Sequence, residues 1–174
     1  AAGIPAEALA RLIHDPDPAV RTIALTALSH AGTVPDEQTH TAVLSLAHTD
    51  PDPAAAAAAC ALLGQTRAAQ SGPVLMEILA DTGRPTELRC AAARALGQVE
   101  FWDDAVADVL ARASVGDLPP LQLAALHALI ELETASLPAT TAARADGAAS
   151  TRILLDLLQG GVAADSRDSA QASA

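Results

Sequence analysis

Apolar residues recur along this chain at helical spacing, in blocks that themselves repeat. Four nine-residue segments align without gaps: Val20 to Leu28, Ala55 to Leu63, Leu88 to Leu96 and Leu121 to Leu129, at offsets of 35, 33 and 33 residues. The first, fourth, fifth, eighth and ninth places are apolar in all four, with Ile23, Ala58, Ala91 and Ala124 fourth and Leu28, Leu63, Leu96 and Leu129 ninth. That spacing makes one face of an α-helix. A shorter helical pattern precedes each block: Ala8-Leu9 with Leu12-Ile13, Val43-Leu44 with Ala47, Leu75 with Ile78-Leu79, and Val106 with Val109-Leu110. Each unit therefore reads as helix, short turn, helix.

The turns carry their own punctuation. His14-Asp15-Pro16-Asp17-Pro18 and Thr49-Asp50-Pro51-Asp52-Pro53 are near copies, followed by Asp81-Thr82-Gly83-Arg84-Pro85 and Asp117-Leu118-Pro119-Pro120. Asp17 and Asp52 stand where a helix N-cap accepts a backbone N–H, and Pro18 and Pro53 fall at the first helical position, where a missing N–H costs nothing. Gly32, Gly64 and Gly97 follow the second helices and read as left-handed C-caps. After Glu133 the pattern lapses: Thr134 to Gly147 reads as a linker, Ser150 to Gln159 as a closing helix, and Gly160 to Ala174 as a flexible tail.

An Asp-Pro turn, then an apolar residue with Arg, then Ala-Ala and Leu-Gly resembles the HEAT-like repeats of the bilin-lyase type. Leu88-Arg89-Cys90-Ala91-Ala92-Ala93-Arg94-Ala95-Leu96-Gly97 is the best single match, and Asp15-Pro16-Asp17-Pro18-Ala19-Val20-Arg21 the next. The resemblance covers about residues 5–133. The second unit departs from it with Ala56 at the Arg place, and the fourth with Gln122. It implies an all-α fold, an α-α superhelix of about four helix pairs (about 5–32, 36–66, 71–100 and 103–133) plus a C-terminal helix at 150–159, within a domain spanning 1–159. In such solenoids neighbouring units bury each other's apolar stripes, and the second helices line a concave surface. The resemblance also implies that Arg21 and Arg89 pair with a turn Asp of their own or a neighbouring unit, Asp15 and Asp81.

Composition narrows the functional classes. The 174 residues carry a net charge of -11, all ten basic residues are Arg, and 44 positions are Ala. Such acidity argues against a phosphate-backbone partner, which needs clustered cations, and against an anionic membrane surface. The longest Ala- and Leu-rich run, Ala54 to Leu63, is too short to span a bilayer. Two cysteines, Cys60 and Cys90, make no disulfide framework in a chain this long and fit a reducing, cytoplasmic compartment.

The candidate chemistry is sparse. His14, Asp15 and Asp17 with His48, Asp50 and Asp52 have the donor types of a divalent-metal site, but the carboxylates are equally helix caps; no metal or cofactor is expected. Di-iron hydroxylases among HEAT-like proteins use paired His-Glu dipeptides, and none occurs in this sequence. DNA-alkylation glycosylases of HEAT-like fold use Trp and Asp in a basic channel, which a charge of -11 does not supply. Cys60 and Cys90 sit among alanines with no His beside them, as small buried hydrophobes do. No phosphate-cradling Gly loop or nucleophile elbow appears.

What remains is a binding surface. Thr22, Thr26, Ser29, His30, Arg94 and Gln98 fall on the polar side of the second helices, with Trp102 at a turn beside Asp103 and Asp104. Arg94 is the best anchor, since Arg is enriched at binding hot spots. The expected role is a non-catalytic scaffold that takes a protein or peptide partner on its concave face. The competing readings are an accessory lyase or chaperone acting on a chromophore or modified peptide, and a nucleic-acid-binding protein.

Overall fold

The structure is a computed structural model that describes residues 5–32, 35–100 and 103–135. These residues hold eight α-helices and no strand: α1 (Ala6–Leu12), α2 (Pro18–Ala31), α3 (Glu37–Thr49), α4 (Pro53–Thr66), α5 (Gly72–Ala80), α6 (Thr86–Gln98), α7 (Asp104–Ser114) and α8 (Pro119–Ala135). A 3-10 turn, Ala69–Ser71, leads into α5. The chain divides into two units after Leu132. The predicted closing helix 150–159 and the tail lie outside the described residues, and α8 runs two residues into the predicted linker.

The second helices start where the turn chemistry puts them. The Asp17 carboxylate accepts the Ala19 N–H at 2.9 Å, and Asp52 accepts those of Ala54 and Ala55 at 3.1 and 2.9 Å. Pro18 and Pro53 open their helices. Two residues before these caps, Asp15 and Asp50 each accept an N–H two residues on, from Asp17 and Asp52, as Asp81 does from Gly83 in the third turn. These side-chain turns fix the tight reversal between the two helices of a unit.

First helices contact second helices within a unit (α1 with α2, α3 with α4, α5 with α6), and successive second helices contact each other from α2 to α4 to α6. Leu28, Leu63, Leu96 and Leu129, the ninth places, are all buried, as are Ala24, Ala59, Ala92 and Ala125, the fifth. They join Leu9, Val43, Leu75, Ile78, Val106 and Leu110 of the first helices in one continuous core.

Two of the three predicted glycine caps are something else. Gly32 does end α2 with a left-handed φ of 63°. Gly64 and Gly97 lie inside α4 and α6 and are buried. A Cβ on Gly64 would stand 2.8 Å from the Ala95 Cα, and one on Gly97 would stand 2.8 Å from the Ala128 Cα. Glycine is needed there so that one second helix can seat against the backbone of the next. The end of α4 is made instead by Arg67, which takes the left-handed conformation with φ 53°. The Arg67 carbonyl accepts the Glu100 N–H at 3.1 Å, joining the ends of two successive units through main-chain atoms.

Arg21 makes the expected pair with a turn Asp of a neighbouring unit, although not with Asp15, whereas Arg89 bonds a carbonyl instead. Arg21 does not pair with the Asp15 carboxylate. Its Nε and Nη2 donate to the Asp50 carboxylate of the next unit at 2.8 and 2.7 Å, while Nη1 donates to the carbonyls of Asp15 and Pro16. Asp15 is turned to its own Asx turn, whereas Asp50 is buried within reach. Arg89 donates to the Leu79 carbonyl, and Asp81 pairs with Arg84 at 3.2 Å. Arg84 also donates to the His48 carbonyl at 2.9 Å, a bond between the second and third turns. Where the fourth unit replaces Arg, Gln122 donates to the Gly116 carbonyl, so the side chain at this place again fastens its own turn.

Two outcomes follow from these contacts. Gly64→Ala should gain about 1 kcal/mol of helix propensity yet cost about 1–3 kcal/mol through overpacking, a net loss measurable by urea unfolding. A gain in stability would contradict the close approach. Burial raises the Asp50 carboxyl, but the hydrogen bonds from Arg21 and Asp52 with the Arg21 charge outweigh it and hold the group below its ordinary value. The stabilisation is therefore present above the usual carboxylate range and is lost as pH falls through the lowered value. Arg21→Met and Asp50→Asn should each lower the melting temperature at pH 7, and the double variant should lose less than their sum.

Candidate functional site

Successive second helices place their exposed residues in rows. The seventh places (counting from Val20, Ala55, Leu88 and Leu121) are Thr26, Ala61, Arg94 and His127, all exposed. The eleventh places are His30, Gln65, Gln98 and Glu131, of which the first three are exposed. On a helix of 3.6 residues per turn these two places lie on the side opposite the core.

The sequence-predicted residues fall into two groups. Thr22, Thr26, Ser29 and His30 stand on α2, and Arg94 and Gln98 stand on α6. Helix α4 lies between them and presents Ala54, Ala61 and Gln65 to solvent. Trp102 lies outside the described residues. The Thr22 and Thr26 hydroxyls donate to their own helix, to the Pro18 and Thr22 carbonyls at 2.9 and 2.8 Å, leaving only their acceptor lone pairs outward. Ser29 donates to the Gln65 Oε1 at 2.6 Å across the α2–α4 contact. Gln98 lies over Gly64, its Oε1 at 2.8 Å from where a Cβ would be, and the Glu131 carboxylate lies over Gly97 in the same way. The eleventh-place side chains thus cover the small tenth-place residue of the unit before. Arg94 remains exposed on this face.

Charge is unevenly placed. The first helices and their N-caps carry Glu7, Asp36, Glu37, Glu77, Asp103, Asp104 and Asp108, and the turns within units carry Asp15, Asp17, Asp50, Asp52, Asp81 and Asp117. Helices α2 and α4 have no acidic residue at all and α6 has only Glu87, whereas α8 carries Glu131 and Glu133. The faces of α2, α4 and α6 around Arg94 are therefore less acidic than the first helices and turns.

Reactive groups are placed for packing. Burial pushes the Cys60 thiol up to about 12 and raises that of Cys90, so neither is a thiolate near neutrality. His40 and Ser71, both buried, face each other with Nε2 3.4 Å from Oγ. Their separation of 31 residues gave no signal in the sequence. That distance is long for a hydroxyl bonded to an imidazole, and no carboxylate hydrogen-bonds to this histidine among the described contacts. His48 Nδ1 stands 4.0 Å from Glu77, shielded from solvent and without a hydrogen bond. Among the described residues no three His, Cys, Asp or Glu groups converge as metal ligands. Asp17 and Asp52 cap helices, and Asp50 holds Arg21. An open cleft of about 510 Å³ lies between the first turn and α3, lined by His14, Gln38, Thr41, Ala42, Ser45 and Leu46. Among the described residues no helix is long and apolar enough to cross a membrane.

Burial lowers the His40 imidazole below its ordinary value. The unfolded chain then binds the proton first as pH falls below about 6.5. Melting temperature should decline between pH 7 and pH 5.5, and His40→Gln should flatten that part of the profile. An unchanged slope in the variant would assign the decline to other groups.

The profile of HEAT repeats matches residues 41–130, just over half of the chain and spanning α3 to α8. No curated protein matches it closely enough to name a relative. The stacked helix pairs, the in-register core places and this match together show that the chain belongs to the HEAT-repeat family.

Proposed function

We propose that this chain is a non-catalytic HEAT-repeat scaffold that binds a protein or peptide segment along the exposed face of its second helices. The observation that carries the reading is the charge placement. The first helices and turns hold most of the acidic residues, while the second-helix face is small and polar, with Arg94 as its exposed cation. HEAT-repeat proteins commonly serve as interaction scaffolds, and the inert thiols and the caps that occupy the turn carboxylates fit a role without chemistry. The alanines of α4 leave room for a partner's side chains, with Thr26, His30 and Gln98 as polar margins and Arg94 suited to a carboxylate on the partner. The array at about residues 5–133 is the binding module in this proposal. Nothing among the described residues favours the chromophore-lyase reading or the nucleic-acid reading over it.

Capture from the source organism's lysate, followed by titration of the captured partner, tests this. Arg94→Glu should weaken binding by about tenfold or more, as loss of an interface Arg does, with helicity by circular dichroism unchanged. Equal affinity of the two chains would remove the proposed surface.

A further inference from the structure

The repeat register shows which side of each second helix meets its neighbour. Ala95, at the eighth place of α6, seats on Gly64 of α4, and Ala128 of α8 seats on Gly97 of α6. The first, fourth and eighth places of a unit therefore form its leading edge, packed on the unit before, and the third and tenth form its trailing edge. Burial follows this order. The fourth place is partly buried at Ala58, 8% exposed at Ala91 and 4% at Ala124, but 69% exposed at Ile23 in the first unit. Val20 and Ala27, the first and eighth places of that unit, are half-buried, where Leu88 with Ala95 and Leu121 with Ala128 are buried. Among the described residues no second helix packs on this side of α2. Val20, Ile23 and Ala27 make an apolar i, i+3, i+7 stripe, the spacing with which helices pair.

We infer that the leading edge of α2 is a self-association surface, seating the α2 of a second copy of this chain across a twofold axis. It continues the internal interface that joins α2, α4 and α6, using the same places of the same repeat. Charge permits a second copy there and at few other sites on a chain of -11, because α2 contains no acidic residue. An antiparallel α2 pair centred between Ile23 and Ala24 sets Val20 opposite Ala27 and brings the two Ile23 side chains together. The same register places exposed His30 level with exposed Asp17 of the second copy, joining a basic helix end to an acidic N-cap. A head-to-tail stack fits less well. The trailing edge of α8 has Leu123 and Ile130, 71% and 51% exposed, and Ile130 occupies the place where α4 and α6 need glycine for close approach. One helix edge per copy is less than the surface of a stable complex, which buries about 1,200 Å² or more in total. The pair is thus weak and forms only at high protein concentration.

Sedimentation equilibrium of the full chain from ~10 µM to ~1 mM reads this directly. The wild type should pass from monomer toward dimer mass, and Ile23→Glu should remain monomeric with unchanged helicity. A second variant, Ile23→Cys, should cross-link to a dimer under mild oxidation, since Cys60 and Cys90 are buried. Three outcomes overturn the inference. They are a wild-type chain monomeric at ~1 mM, a dimer unaffected by Ile23→Glu, and a ladder of larger species abolished by Ile130→Glu, which is the head-to-tail arrangement. None of them depends on Arg94 or on a partner at the second-helix face.

Discussion

The approach of one second helix to the backbone of the next is the constraint on which the remaining geometry rests. A helix pair of this length cannot bury its apolar stripe alone, and stability in such arrays comes from contact between neighbouring units. Alanine fills many of the places where successive second helices meet, and each such side chain offers little apolar area, so neighbouring helices must come close to exclude water. Gly64 and Gly97 permit that, and Ala95 and Ala128 complete it. Leucine occupies the ninth place of all four units, each buried in the same core.

Polar contacts then set the spacing of the turns. In the first, third and fourth blocks the second-place side chain ties its helix to the chain before it, Arg21 and Gln122 to carbonyls of the turn and Arg89 to the Leu79 carbonyl near the end of α5. The second unit has alanine there, and its turn is held from outside, by Arg21 on Asp50 and by Arg84 on the His48 carbonyl. Loss of the side chain in one unit is offset by its neighbours. Asp15, Asp17, Asp50, Asp52 and Asp81 are all engaged in these turn and cap contacts.

Much of this was legible in the sequence because it depends on residues close together in the chain. Asp17 and Asp52 announce helix starts by their distance from Pro18 and Pro53, and the fifth and ninth places announce the core by their period. The glycines misled because a Leu-Gly pair late in a helical stretch has the form of a C-cap. Only the partner helix, 31 residues on, shows that the glycine is under contact. Separations of 29 and 31 residues hid the bond from Arg21 to Asp50 and the meeting of His40 with Ser71. For the candidate surface, periodicity located Arg94 and Gln98 on the outer side of α6. It did not reveal that Gln98 lies over Gly64, or that the Thr22 and Thr26 hydroxyls are turned back to their own helix.

The main-chain bond from Glu100 to Arg67 bears on which substitutions the array tolerates. It joins the ends of α4 and α6 without recruiting a side chain, so its formation is indifferent to what residues occupy those two places, provided the helix end can take a left-handed turn. The joint and the exposed second-helix face use different atoms, so substitutions on that face leave the joint intact.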